Sequence, residues 1–198
     1  MNSQARLSSN VMEPLFLSTV TVTLAEIGDK TQLLALLLII KYKQPVQIML
    51  GIVVATLVNH LATAYLGASL DTIITKEYLH YLVSASFLLL GLWLLIPDKE
   101  EPVSNRFDHF GVFSATTILF FLAELGDKTQ VATALLASQF DSIVYVTIGS
   151  TLGMLAANVP VLYFGEALLK VIPLTTFRVI AATVTILIGL YGFYSQSI

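Results

Sequence analysis

Leu24-Ala25-Glu26-Ile27-Gly28-Asp29-Lys30-Thr31-Gln32 returns 98 residues later as Leu122-Ala123-Glu124-Leu125-Gly126-Asp127-Lys128-Thr129-Gln130. The two copies differ only at Ile27 and Leu125. Each sits inside a long apolar stretch, and each carries two carboxylates and a lysine. A charged side chain at the centre of a membrane-spanning helix costs about 2.5–3.5 kcal/mol even on the lenient insertion scale. Residues placed there at that cost mark an ion or proton pathway. Their duplication implies a pathway built by two halves of one chain.

The repeat extends beyond the motif. The same offset pairs Thr19 with Thr117, Gly51 with Gly149, Tyr65 with Tyr163, Gly67 with Gly165, and Gly91 with Gly189, without a gap. Six apolar segments can be read, at 13–40, 46–68, 78–96, 111–138, 142–169 and 174–195. Each is long enough to cross ~30 Å of hydrocarbon as a helix. Polar or proline-bearing breaks separate them, at Lys41–Pro45, Asp71–Glu77, Pro97–Pro102, Asp141 and Lys170–Pro173. The expected fold is an all-α integral membrane protein with six transmembrane helices. Residues 1–97 form a first three-helix repeat with the motif Glu26–Thr31. Residues 98–110 form a cytoplasmic connecting loop, and 111–198 a second three-helix repeat with the motif Glu124–Thr129. An odd number of spans per repeat inverts the second copy. Transporters built from two inverted repeats place their sites near the midplane, at the repeat interface.

Composition agrees. The chain has 198 residues, 56% hydrophobic and 12% charged, against about 25% charged in soluble domains, and its mean hydropathy is +0.83. A net charge of −3 argues against a nucleic-acid partner. With no cysteine, disulfides, thiolate metal sites and iron–sulfur clusters are excluded. His60, His80 and His109 are too scattered for a poly-histidine zinc site. Residues 1–11 are polar and lack the apolar core of a signal peptide, which points to a bacterial-type or already trimmed chain. Loop charge gives the orientation. Lys41, Lys43, Lys99, Arg106, Lys170 and Arg178 follow the odd-numbered segments, against Arg6 and Lys76 on the other side. The former loops are expected in the cytoplasm, and both termini outside it.

On a continuous helix Glu26 would share a face with Asp29 and Lys30, three and four positions on, and Glu124 with Asp127 and Lys128. Thr19, Thr23 and Thr117 extend these stripes. Gly28 and Gly126 permit a kink, which would free backbone carbonyls as ligands where the chain lines a cavity. Fully ionised, the two motifs carry an excess of two negative charges. One divalent cation would neutralise it, and so would two protons, which suggests exchange between the two. The donors are hard oxygens, suited to calcium, magnesium or manganese. The candidate ion ligands are therefore Glu26, Asp29, Glu124 and Asp127. Lys30 and Lys128 are expected to pair with carboxylates across the interface, with Thr31, Gln32, Thr129 and Gln130 in support. Asn59, His60 and Asn158 fall inside the second and fifth segments, where they either line the cavity or bond between helices. The helical glycines read as packing positions. Tyr65, Trp93, Tyr163 and Tyr191 read as interfacial anchors.

The twin E-x-G-D-K-T motifs, one per three-helix half, resemble the manganese/calcium transporter family of Golgi, chloroplast and bacterial membranes, once catalogued as uncharacterised protein family 0016. The resemblance covers nearly the whole chain and implies cation/proton exchange. It carries the family's functional acids onto Glu26, Asp29, Glu124 and Asp127, and matches Lys30, Thr31, Lys128 and Thr129. The family's long acidic central loop is short here, at 98–108, so loop-based regulation is not carried over. The expected activity is secondary transport of manganese, or calcium, out of the cytoplasm in exchange for protons. The expected setting is a bacterial plasma membrane or a thylakoid membrane, with lipid, the ion and protons as partners and no cofactor. Sequence leaves the oligomeric state open. An exporter of a cationic amino acid is the competing reading, because an acidic cavity also suits an amine. An enzyme is disfavoured, with no H-E-x-x-H, cysteine nucleophile or serine–histidine pairing. No nucleotide-binding motif supports ATP-driven transport.

Overall fold

Every regular element among the described residues is a helix. The computed structural model describes residues 3–70, 74–96, 109–140, 142–171 and 174–194. Most of the connecting loop expected at 98–110 lies outside the described residues, as do Asp141 and part of the Asp71–Glu77 break. The first half contains α1 (Ser3–Glu26), α2 (Lys30–Tyr42), α3 (Pro45–Ala68) and α4 (Lys76–Leu94). The second contains α5 (Val112–Glu124), α6 (Lys128–Phe140), α7 (Ile143–Val171) and α8 (Leu174–Tyr194). Pro45 opens α3 at a position where its missing N–H has no intrahelical partner to lose. Lys43 closes α2 in the left-handed conformation (φ 55°), its N–H bonded to the Ile39 carbonyl.

Two expected helices are corrected. Segments 13–40 and 111–138 are not continuous, because each is broken at its motif. α1 gives way to α2 across Ile27–Asp29, and α5 to α6 across Leu125–Asp127. Gly28 (φ 84°) and Gly126 (φ 73°) hold the reversed backbone at each break, a conformation that costs a residue with a Cβ more than it costs glycine. The shared helical face of Glu26, Asp29 and Lys30 therefore does not exist. α7 is also interrupted, at Gly165 (φ 55°, ψ −140°).

Among the described residues, two helical stretches are long and apolar enough to cross a membrane by length and composition. They are Pro45–Ala68 and Ile143–Gly165, with mean hydropathies of 1.7 and 1.4. They begin 98 residues apart and so occupy the same place in the two repeats. Shorter apolar stretches lie at Tyr81–Leu94, Val112–Glu124 and Val179–Tyr194. The outer surface is apolar, with Leu50, Val54, Val58 and Leu61 of α3 and Val144, Ile148 and Leu152 of α7 all exposed. Tyr65, Trp93, Tyr163 and Tyr191 are exposed as well. Polar side chains are instead buried inside, including Thr56, Asn59, His60, Thr151 and Asn158. An apolar exterior around a polar interior suits lipid as the surrounding solvent.

Contacts between the halves come in reciprocal pairs. α1 packs on α7 and α5 on α3, while α2 packs on α7 and α6 on α3. The reciprocity reaches single residues. A Cβ on Gly51 would lie 2.7 Å from Thr116 and 2.9 Å from the Phe113 carbonyl, and Gly149 meets Ser18 and the Leu15 carbonyl. Both of those partners are also 98 positions apart. Gly91 meets Ile186 and the Ala182 carbonyl, and Gly189 meets Leu88 and the Ser84 carbonyl. These glycines let helix backbones approach closely, as in other membrane bundles.

One pair breaks the pattern. Gly67 is pressed against the Ala134 backbone of α6, whereas Gly165 has only Leu36 Cδ1, 4.0 Å from where its Cβ would be. A groove of about 410 Å³ opens there between α2 and α7, lined by Leu36, Ile39, Lys43, Leu162 and Gly165.

Candidate ion site at the paired helix breaks

Each break is built the same way. After Glu26 the chain leaves the helix with the Asp29 N–H bonded to the Glu26 carbonyl at 3.0 Å, and Asp127 repeats this on Glu124 at 3.1 Å. The Gly28 N–H donates to Gln32 Oε1 at 2.8 Å, and the Gly126 N–H to Gln130 Oε1 at 2.9 Å. The glutamine of the first turn thus caps the loop that precedes its own helix. Gln32 also donates through Nε2 to the Ala157 carbonyl of α7 at 2.8 Å, tying the first break to the second half.

The breaks carry the four acids into the interior. Glu26 ends α1 and Glu124 ends α5, both with no exposed surface, and Asp29 and Asp127 are buried beside them. The two motifs meet directly, since Lys30 Nζ lies 3.0 Å from Asp127 Oδ1. This is the cross-interface pairing expected of a motif lysine. The second lysine, Lys128, is buried and donates to the Ile96 carbonyl just beyond α4 at 2.8 Å. It also lines a cavity of about 10 Å³ with Gly28, Asp29 and Leu94.

The supporting residues divide. Thr129 Oγ1 donates to Glu124 Oε2 at 2.9 Å and stands 3.4 Å from Asp127 Oδ2. Asn158 Nδ2 lies 3.4 Å from Glu26 Oε1 and 3.1 Å from the Met154 carbonyl. Asn59 Nδ2 instead donates to the Phe121 carbonyl at 3.1 Å. Gln32 and Gln130 serve the backbone of the breaks. Thr31 is fully buried. Among the described residues, Glu26 Oε2, Glu124 Oε1, Asn158 Oδ1 and Thr31 Oγ1 have no hydrogen-bond partner. A buried polar group left unsatisfied costs about 1–3 kcal/mol.

Among the described residues, no three histidine, aspartate or glutamate side chains are gathered as a ready-made metal site. Lys30, Thr129 and Asn158 each hold an acid of the set. Sequence reading missed the Ile96, Phe121 and Ala157 carbonyls that anchor Lys128, Asn59 and Gln32. A carbonyl leaves no mark in the residue code. The glutamine that follows each motif glycine by four positions was the available signal for the caps.

A helical bundle with an apolar exterior, and with charged helix breaks buried between two repeated halves, has the architecture of a membrane transporter. The chain belongs to the family described as "Divalent cation/proton antiporter GDT1", which matches it over residues 14–102 and 112–197, a stretch in each half. It is 44% identical over 187 residues to a Vibrio cholerae protein named "Putative manganese exporter", covering 92% of both chains. It is 27% identical over 169 residues to "GDT1-like protein 3" of Oryza sativa subsp. indica, spanning 72% of this chain and 60% of that one. No solved structure matches the chain.

Proposed function

We propose that this protein exports manganese from the cytoplasm in exchange for protons, with calcium as the alternative ion. The observation that carries this is the 3.0 Å pair between Lys30 of the first motif and Asp127 of the second, which joins the buried acids of both halves in one interior region. Glu26, Asp29, Glu124 and Asp127 are the ion ligands in this reading. Lys30 holds Asp127 while the ion is absent and gives way when it binds. Protons neutralise the same acids on the return step, so neither crossing carries uncompensated charge through hydrocarbon.

The fold supports the reading. Counting α1 with α2 and α5 with α6 as broken spans gives six transmembrane helices in two three-span repeats, 1–97 and 111–198, joined by 98–110. The reciprocal glycine contacts favour a pseudo-two-fold relation between them. At each break one helix ends and the next begins beside the buried acids, and transporters place such helix ends around their ions. The name of the Vibrio cholerae relative favours manganese. The cavity beside Asp29 and Lys128, about 10 Å³, suits a water or a single ion and gives no support to a cationic amino acid.

Flux in proteoliposomes tests this. Vesicles loaded with manganese should release it faster when the outside is more acidic, with protons entering as the ion leaves. Glu26→Gln or Glu124→Gln should abolish this release while the protein stays folded in the membrane. Labelled lysine should not move. Equal manganese rates with the pH gradient imposed, reversed or collapsed, at clamped membrane potential, would make the protein a uniporter and defeat the exchange reading.

A further inference from the structure

His60 lies near the middle of α3 and has no exposed surface. Neither ring nitrogen has a hydrogen-bond partner among the described residues. Two unsatisfied nitrogens on a buried ring are costly, and an apolar residue would pack there without that penalty. The repeat offset supplies a counterpart. His60 corresponds to Asn158 of the second half, and Asn158 Nδ2 lies 3.4 Å from Glu26 Oε1. The counterpart of Glu26 is Glu124. The same exchange of halves relates the contact of Gly51 with Thr116 to that of Gly149 with Ser18 on these same helix pairs. The offset thus makes position 60 and Glu124 the counterparts of position 158 and Glu26. An independent contact fixes the level. Asn59, the residue before His60, bonds the Phe121 carbonyl at 3.1 Å, one helical turn before Glu124 on α5. Glu124 in turn keeps Oε1 without a partner among the described residues.

We propose that His60 is a nitrogen ligand for the transported ion on the Glu124 side of the site, and that it biases the site toward manganese over calcium. This rests on the cation-transport reading above. The four motif acids are the same in both halves, and as oxygen donors they serve calcium, magnesium and manganese alike. At this level the halves differ in an imidazole against an amide at His60 and Asn158, and in Asn59 against Ala157, but only the imidazole adds a nitrogen donor. An imidazole nitrogen adds affinity for first-row transition ions and little for calcium, which takes oxygen ligands. His60 is thus the residue that gives an otherwise oxygen-lined site a preference among divalent ions.

The test uses the full chain in nanodiscs, with His80→Gln and His109→Gln so that His60 is the only imidazole. Pulsed electron paramagnetic resonance of bound manganese should show couplings to imidazole nitrogen. They should vanish in His60→Asn, which installs the side chain that the other half already carries. In proteoliposomes His60→Asn should weaken the apparent affinity for manganese by about 10-fold or more, a loss typical of removing a group that supports a bound metal, and leave that for calcium unchanged. Manganese that binds and moves in the His60-only protein without any nitrogen coupling would overturn the proposal, as would an equal loss for both ions in His60→Asn. If that protein neither binds nor moves manganese, the manganese-transport reading fails first, and this inference falls with it.

Discussion

At the residue scale, the pair between Lys30 and Asp127 decides how the two halves meet. Its side chains are 26% and 3% exposed. Removing one partner of a buried ion pair costs about 3–5 kcal/mol because the other charge is left alone. The partial exposure of Lys30 places the effect here at or below the lower end of that range. Lys30→Met should therefore lower the unfolding temperature in detergent. Adding Asp127→Asn should restore most of that loss, because no lone carboxylate then remains. An unchanged unfolding temperature in Lys30→Met would mean that the pair adds no stability. A lysine paired with a carboxylate across the interface was legible in the sequence. That Lys30 takes Asp127 was not, because the reach of both side chains is set by the breaks.

At the scale of the elements, the nearly identical motifs make unequal breaks. Gln32 is buried and spends both ends of its amide, on the Gly28 N–H and on the Ala157 carbonyl. Gln130 is partly exposed and caps the Gly126 N–H alone. Gln32→Leu leaves the Gly28 N–H unsatisfied, worth about 1–3 kcal/mol when buried, and takes the side-chain partner from the Ala157 carbonyl. Gln130→Leu should cost no more than about 1 kcal/mol, the ordinary net value of one hydrogen bond. Thermal unfolding of the two variants should rank them in that order, and amide exchange at Gly28 should accelerate in Gln32→Leu. Equal stabilities would show that the Ala157 contact contributes nothing. Gly28 and Gly126 were legible as sites where a kink is permitted. The full break was not, since the apolar residues on either side of each motif keep helical spacing and give no sign of interruption.

At the scale of the whole molecule, we propose that both termini face away from the cytoplasm, on the loop charges and the three-span repeats read from the sequence. The chain has no cysteine, so a cysteine introduced at Ser3 or Ser197 reports its own position. Both should react with a membrane-impermeant thiol reagent added outside intact cells. Reaction only after permeabilisation would reverse the orientation.

The sequence by itself determined the repeat and its offset, the apolar segments, and the four acids with their two lysines. These are local properties, set by composition and by spacing along one strand of the duplication. The tertiary structure decided where the helices break, that Lys30 of one motif reaches Asp127 of the other, and that Asn158 stands beside Glu26. It also decided that Gly67 packs tightly on α6 while its equivalent Gly165 interrupts α7 beside an open groove. Two copies of one motif carry the same chemistry, but each meets a different set of neighbours. Only the contacts between the halves fix those neighbours, and with them which carboxylates are held and which oxygens are left without a partner.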